Sequence, residues 1–98
     1  MNFKQVIESF INGATEGQSA GQANLKIKGD VLIHYSTPIL ERCNSKYILN
    51  YSRYSIVTGR LQKQIKELIP DESLIQITKV PEGYKGSLKD LVKEVSLS

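Results

Sequence analysis

The sequence predicts one α+β domain across residues 1–98: a small antiparallel β-meander packed with an N-terminal helix, a central basic amphipathic helix and a C-terminal helix. Three observations lead there. Apolar residues recur at helical spacing near each end and once in the middle. Between the first two such stretches they alternate at a period of two, in short runs separated by turn residues. And 98 residues suffice for one small core, with no composition shift that marks a second domain.

The first helix is read from Phe3, Val6, Ile7, Phe10 and Ile11, spaced i, i+3, i+4, i+7, i+8. Asn2 stands where an N-cap belongs, Gln5 where a capping box returns the bond, and Asn12-Gly13 supply a left-handed stop. Residues 13–23, GATEGQSAGQA, hold three glycines and only small or polar side chains, so a flexible loop is expected. The order helix–loop–strand, without a following Gly-Lys-Ser/Thr, argues against a phosphate-cradling loop here.

Leu25 and Ile27 alternate with Lys26 and Lys28, and Gly29-Asp30 then makes a tight turn into the more apolar VLIHY. Pro38 cannot donate to a ladder, so Ser36-Thr37-Pro38 predicts a kink, a bulge or an edge position. The chain resumes over Ile39–Arg42, turns at Asn44-Ser45 and returns as Lys46–Tyr51, with Tyr47, Leu49 and Tyr51 on one face. Three or four antiparallel strands follow from this. Thr58 is the expected N-cap of a helix over residues 59–69, striped by Leu61, Ile65, Leu68 and Ile69 and ended by Pro70. Leu74–Val80 reads as a strand and Pro81-Glu82-Gly83 as a turn. Ser87 with Asp90 forms a second capping-box pattern before Leu88, Leu91, Val92 and Val95.

Composition narrows the function classes. No apolar run nears the roughly 18 residues a bilayer span needs, and MNFKQVIESFING has no basic region leading an apolar block. The lone Cys43 rules out an internal disulfide and suits a reducing compartment, so a cytoplasmic location is expected. One histidine and one cysteine cannot build a Cys/His metal cage, so neither a metal nor a cofactor is expected. Cys43 with His34 is the sole conceivable nucleophile–base pair, and no helix N-terminus adjoins the thiol to lower its pKa. The acidic residues lie mostly in helices, caps and turns, where solvation is their ordinary role. No enzyme and no catalytic residue is expected.

Charge is distributed unevenly. Residues 42–66 hold six basic residues and no acid, whereas the rest of the chain carries seven basic against ten acidic. That segment also contains Tyr47, Tyr51 and Tyr54. Arginine forks onto phosphate and exposed tyrosine stacks on an unpaired base. Tyrosines at alternate strand positions also pack on cores, and lysines on a helix's free side are also simply solvated, so the pattern alone leaves both outcomes open. The expected binding set is Arg42, Lys46, Tyr51, Arg53, Tyr54, Arg60, Lys63 and Lys66, with the stretch from Arg53 to Lys66 at its centre. Its expected ligand is nucleic acid, held through the backbone. The alternatives are a host protein, bound through exposed tyrosine and arginine anchors, and a homo-oligomer whose interface uses the tyrosine face.

Between Gln18 and Ile65 lie Ser19-Ala20-Gly21, Asn24-Leu25, Gly29-Asp30, Tyr35-Ser36-Thr37-Pro38-Ile39, Arg42, Tyr47 with Leu49-Asn50, Tyr54-Ser55, Thr58 and Gln62. In order and spacing this stretch, about half of the chain, resembles a family of small phage and mobile-element proteins of undetermined biochemical role. The resemblance implies a phage or prophage accessory protein that binds nucleic acid or occludes a host defence or replication protein. It implies no catalytic or ligand-binding residues. Similar proteins usually carry two threonines and a serine after the Tyr-Ser pair, often followed by histidine and glutamine. This chain has Val57, Thr58, Gly59 and Leu61 there, so any chemistry of those hydroxyls and that histidine is not carried over.

Overall fold

A computed structural model describes residues 2–18 and 24–96, with side chains up to Val92. Six strands form one sheet in sequence order: β1 (Glu16–Gln18), β2 (Leu25–Lys28), β3 (Val31–His34), β4 (Thr37–Cys43), β5 (Lys46–Asn50) and β6 (Leu74–Ile77). Neighbours are antiparallel except β5 and β6, which run parallel and are joined through a crossover helix. The helices are α1 (Phe3–Ile11), α2 (Ile56–Leu68) and α3 (Leu88–Ser96), and a short 3₁₀ turn at Asp71–Ser73 leads into β6.

Each hairpin follows from its turn residues. Gly29 (φ 65°) opens the two-residue loop between Lys28 and Val31, and Asn44 (φ 57°) does so between Cys43 and Lys46. Of the kink, bulge or edge position expected at Ser36-Thr37-Pro38, the bulge is present, and it directly follows a full reversal that is not among those expectations. Tyr35 (φ 51°) and Ser36 (φ 71°) are both left-handed and join His34 to Thr37, so the apolar run from Val31 to Ile39 is two strands. The register shift beside Leu32/Ile33 leaves Ile39 as the extra residue, and Pro38 sits next to this bulge in a central strand. Glu16–Gln18 pairs with Lys26–Lys28 as an edge strand, so the expected loop is shorter than 13–23, and its residues 19–23 lie outside the described set.

Both sheet faces are covered where β4, β5 and β6 run. On one face α1 and α2 bury Val6, Ile7, Phe10, Leu61, Ile65 and Ile69 against Leu25, Ile27, Leu32, Leu40, Leu49 and Leu74. On the other, α3 packs Leu88, with Leu91 and Val92, on Ile48, Ile77 and Val80. This second layer explains why β4 is buried without alternation from Thr37 to Glu41.

The helix starts confirm one sequence expectation and revise two. α1 has the full Asn2/Gln5 capping box: Gln5 N–H donates to Asn2 Oδ1 at 2.8 Å, and Asn2 N–H to Gln5 Oε1 at 2.9 Å. α2 begins three residues before the expected first residue, because Ser55 and not Thr58 is its N-cap; Ser55 Oγ accepts from Thr58 N–H at 3.2 Å. Thr58 turns inward, where its Oγ1 lies 3.0 Å from Nδ1 of buried His34. α3 is capped from a distance. Buried Glu41 of β4 accepts Leu88 N–H at 2.9 Å and Ser87 Oγ–H at 2.6 Å, putting a carboxylate at the helix's positive end. Asp90 is not the reciprocal partner of Ser87; its backbone N–H reaches only the Ser87 carbonyl, at 3.2 Å. β6 ends at Ile77, three residues short of the expected strand, because the chain turns away at Lys79 (φ 64°).

Candidate functional site: a basic cleft beside the start of helix α2

The parallel pair β5 and β6 delivers two chain segments to one end of the sheet, and α2 begins at that same end. In sheets with parallel strands, crevices form at such strand ends. Here a cleft of about 610 Å³ is lined by Tyr51, Ser52 and Arg53 after β5, by Gly59 and Gln62 of α2, and by Thr78, Lys79 and Val80 after β6.

A buried polar network fixes its walls. Gln62 is buried on α2, and its Nε2 donates to the carbonyls of Asn50 (2.7 Å) and Ser52 (2.8 Å). Asn50 donates from Nδ2 to the Pro38 carbonyl (2.9 Å) and to Tyr54 Oη (2.8 Å), while its Oδ1 accepts Ser52 N–H at 3.0 Å. Tyr54 Oη donates to the Val80 carbonyl at 2.6 Å, and Val80 N–H donates to Ser52 Oγ at 2.9 Å. Tyr51 N–H closes the set on the Ile77 carbonyl at 2.8 Å. The linker 51–55 and the segment 78–80 are thereby tied to each other and to α2. A lysine in the left-handed region costs conformational energy, and these bonds around it hold Lys79 there.

The eight residues expected to bind a partner divide into two groups. Tyr51 and Arg53 line the cleft, and Lys66 Nζ lies 4.8 Å from the centroid of the Tyr51 ring. Gly59, Lys63 and Lys66 recur at i, i+4 and i+7, so both lysines share the helix stripe that rises from the cleft wall. Arg60 is exposed on the neighbouring stripe, pointing outward. These five residues lie around one end of the domain.

Arg42, Lys46 and Tyr54 do not join them. Arg42 is an internal clamp: its guanidinium donates to the carbonyls of Phe10, Ala14 and Gly29 and to Asp30 Oδ1, and stacks 4.0 Å over the Phe10 ring. With 17% of its side chain exposed, it closes the C-terminal end of α1 onto the sheet instead of facing a partner. Lys46 is exposed but starts β5, so the length of that strand separates it from the cleft. Tyr54 spends its hydroxyl on the Asn50–Val80 network and packs against the core, which removes it as a stacking partner.

Lys79 is the functional candidate that the sequence reading missed. It lies outside the acid-free 42–66 segment, and only the parallel placement of β6 brings it to the cleft. Among the described residues the one ion pair is Arg42–Asp30, so Arg53, Lys63, Lys66 and Lys79 have no carboxylate within 4.0 Å. A second feature was visible only in part. Ile56 is 79% exposed and Val57 46%, and with Tyr35 at 54% they place apolar surface around the first turn of α2. Tyr35 and Val57 border a smaller cavity of about 380 Å³ that also touches His34, Ser55, Thr58 and Glu82.

Cys43 and His34 are not assembled as a nucleophile and base. Cys43 ends β4 and packs toward α3, whereas His34 pairs with Thr37 at the start of that strand and reaches α2. Six residues of strand put them on the order of 20 Å apart. Among the described residues no three His, Cys, Asp or Glu side chains gather as a metal set, and no helix is long and apolar enough to cross a membrane.

Fold and site together define a small α+β domain with a preformed basic cleft. No family model matches the chain, and neither curated proteins nor solved structures give a match.

Proposed function

We propose that this protein is a non-enzymatic nucleic-acid-binding accessory protein of the phage or mobile-element kind its sequence resembles, acting in the cytoplasm. It holds the phosphate backbone in the cleft beside α2. The observation that carries the reading is that Arg53 and Lys79 line a cleft with an exposed tyrosine, with Lys66 against that tyrosine and Lys63 on the same helix stripe, and that among the described residues none of the four has a carboxylate within 4.0 Å. Cations without a carboxylate partner supply attraction to phosphate at small desolvation cost, and the hydrogen-bonded walls present them already ordered. Titration of a labelled oligonucleotide against wild type, Lys63→Glu, Lys79→Glu and Lys46→Glu tests this. The first two substitutions weaken binding whatever the sequence of the oligonucleotide, and the third, on the far end of β5, leaves it unchanged. Equal loss in all three variants would mean that general positive charge, not the cleft, does the binding.

A second reading rests on the apolar turn. Ile56, Val57 and Tyr35 are large apolar side chains held in solvent at one end of the domain, which suits contact with a host or defence protein. Recovery of one stoichiometric protein partner that survives nuclease treatment and is lost in Ile56→Asp favours this reading over the first.

A further inference from the structure

We infer that the cleft selects single-stranded over double-stranded nucleic acid; this rests on the nucleic-acid reading above and specifies its substrate. The first observation is shape. Arg53 and Lys79 line a concavity of about 610 Å³, with Lys66 beside the Tyr51 ring at its edge and Lys63 on the α2 stripe that starts at Gly59. That volume lies in the range of roughly 300–1,000 Å³ typical of clefts that enclose a small ligand. It admits an opened strand a nucleotide or so at a time. A duplex keeps its bases stacked inside a rigid rod and offers the cleft phosphates but no open base face.

The second observation is Tyr51. It is 39% exposed on the cleft wall, and the Lys66 ammonium covers one ring face at 4.8 Å from the centroid. The cation–π contact orients the ring and leaves the other face to stack. An unpaired base offers the matching flat surface, whereas a paired base is already stacked on its neighbours. Tyr51 is also held at its backbone, through the Ile77 carbonyl, so stacking orders few further degrees of freedom.

The third is Gly59. Its Cβ would meet nothing within 4 Å, and its helical position needs no left-handed backbone, so packing gives no reason for glycine at this cost to the helix. It lines the cleft, where a bare backbone lets a sugar–phosphate chain approach most closely. Thr78, exposed and lining the same concavity, adds a hydroxyl there.

The test uses the full chain and a labelled oligonucleotide of mixed sequence, free and annealed to its complement, at low salt. Single strands bind at least about tenfold more tightly than the duplex, and Tyr51→Ala removes on the order of five- to a hundredfold of single-strand affinity, the range found for one stacked base. Tyr51→Phe, which keeps the ring, retains the preference. Thermal unfolding of each variant separates loss of stacking from loss of fold. Equal or tighter binding of the duplex overturns the inference while leaving nucleic-acid binding in place. Binding of neither form at low salt overturns both.

Discussion

Replacing Gln62 with leucine removes the two donors that hold the linker between β5 and α2. Gln62 is 3% exposed, and both hydrogens of its Nε2 are used, on the Asn50 and Ser52 carbonyls. Leucine has similar bulk, so little cavity forms and some apolar burial is gained. The loss is polar: two buried acceptors are left unpaired, at about 1–3 kcal/mol apiece. Set against a leucine gain of about 1.5–3 kcal/mol, mid-range values leave a net destabilisation of about 2 kcal/mol. For a domain of this size that lowers Tm by about 8–16 °C. The chain has no tryptophan, so far-UV circular dichroism in urea is the suitable assay. A change below about 0.5 kcal/mol, the ordinary range for surface substitutions, would refute the view that this network sets the cleft walls.

Three other substitutions have definite outcomes. Arg42→Lys keeps the charge but loses the planar fork over Phe10, Ala14 and Gly29; it destabilises by about 2 kcal/mol in thermal melts and leaves oligonucleotide affinity unchanged. Glu41→Ala costs about 2–3 kcal/mol and speeds amide exchange at Leu88–Val92, whereas Glu41→Gln, which still accepts the Leu88 N–H, costs only about 1 kcal/mol. Gly59→Ala stabilises by up to about 1 kcal/mol because the new methyl meets nothing, yet it weakens oligonucleotide binding by narrowing the cleft.

The elements legible in the sequence are those specified by neighbours in the chain. The α1 stripe with its capping box, the Gly29 and Asn44 turns and the three-helix count all rest on local spacing, and all are present. What escaped depends on tertiary context. Left-handed Tyr35 and Ser36 replace the glycine or asparagine that announces a two-residue hairpin, so the reversal goes unread and only the irregularity at Pro38 is legible. Ser55 and Thr58 are both good cap residues, and the inward turn of Thr58 onto His34 is a contact across 24 positions that local spacing does not reveal. Glu41 reads as a polar residue in a strand; its role at α3 spans 47 positions of sequence. The proposed cleft set shows the same division. Charge counting along the chain finds Arg53, Lys63 and Lys66, but it also takes in Arg42, whose partners lie 28 and 32 positions back, and it misses Lys79 across the β5–β6 crossover.

The dependence of single-strand affinity on salt tests the central claim most directly. With Arg53, Lys63, Lys66 and Lys79 each meeting one phosphate, the plot of log K against log salt concentration falls with a slope of about −3, at about 0.7 per contact. Lys79→Gln reduces that slope by about 0.7. A flat plot, or no binding at about 50 mM salt where such contacts are strongest, would contradict it.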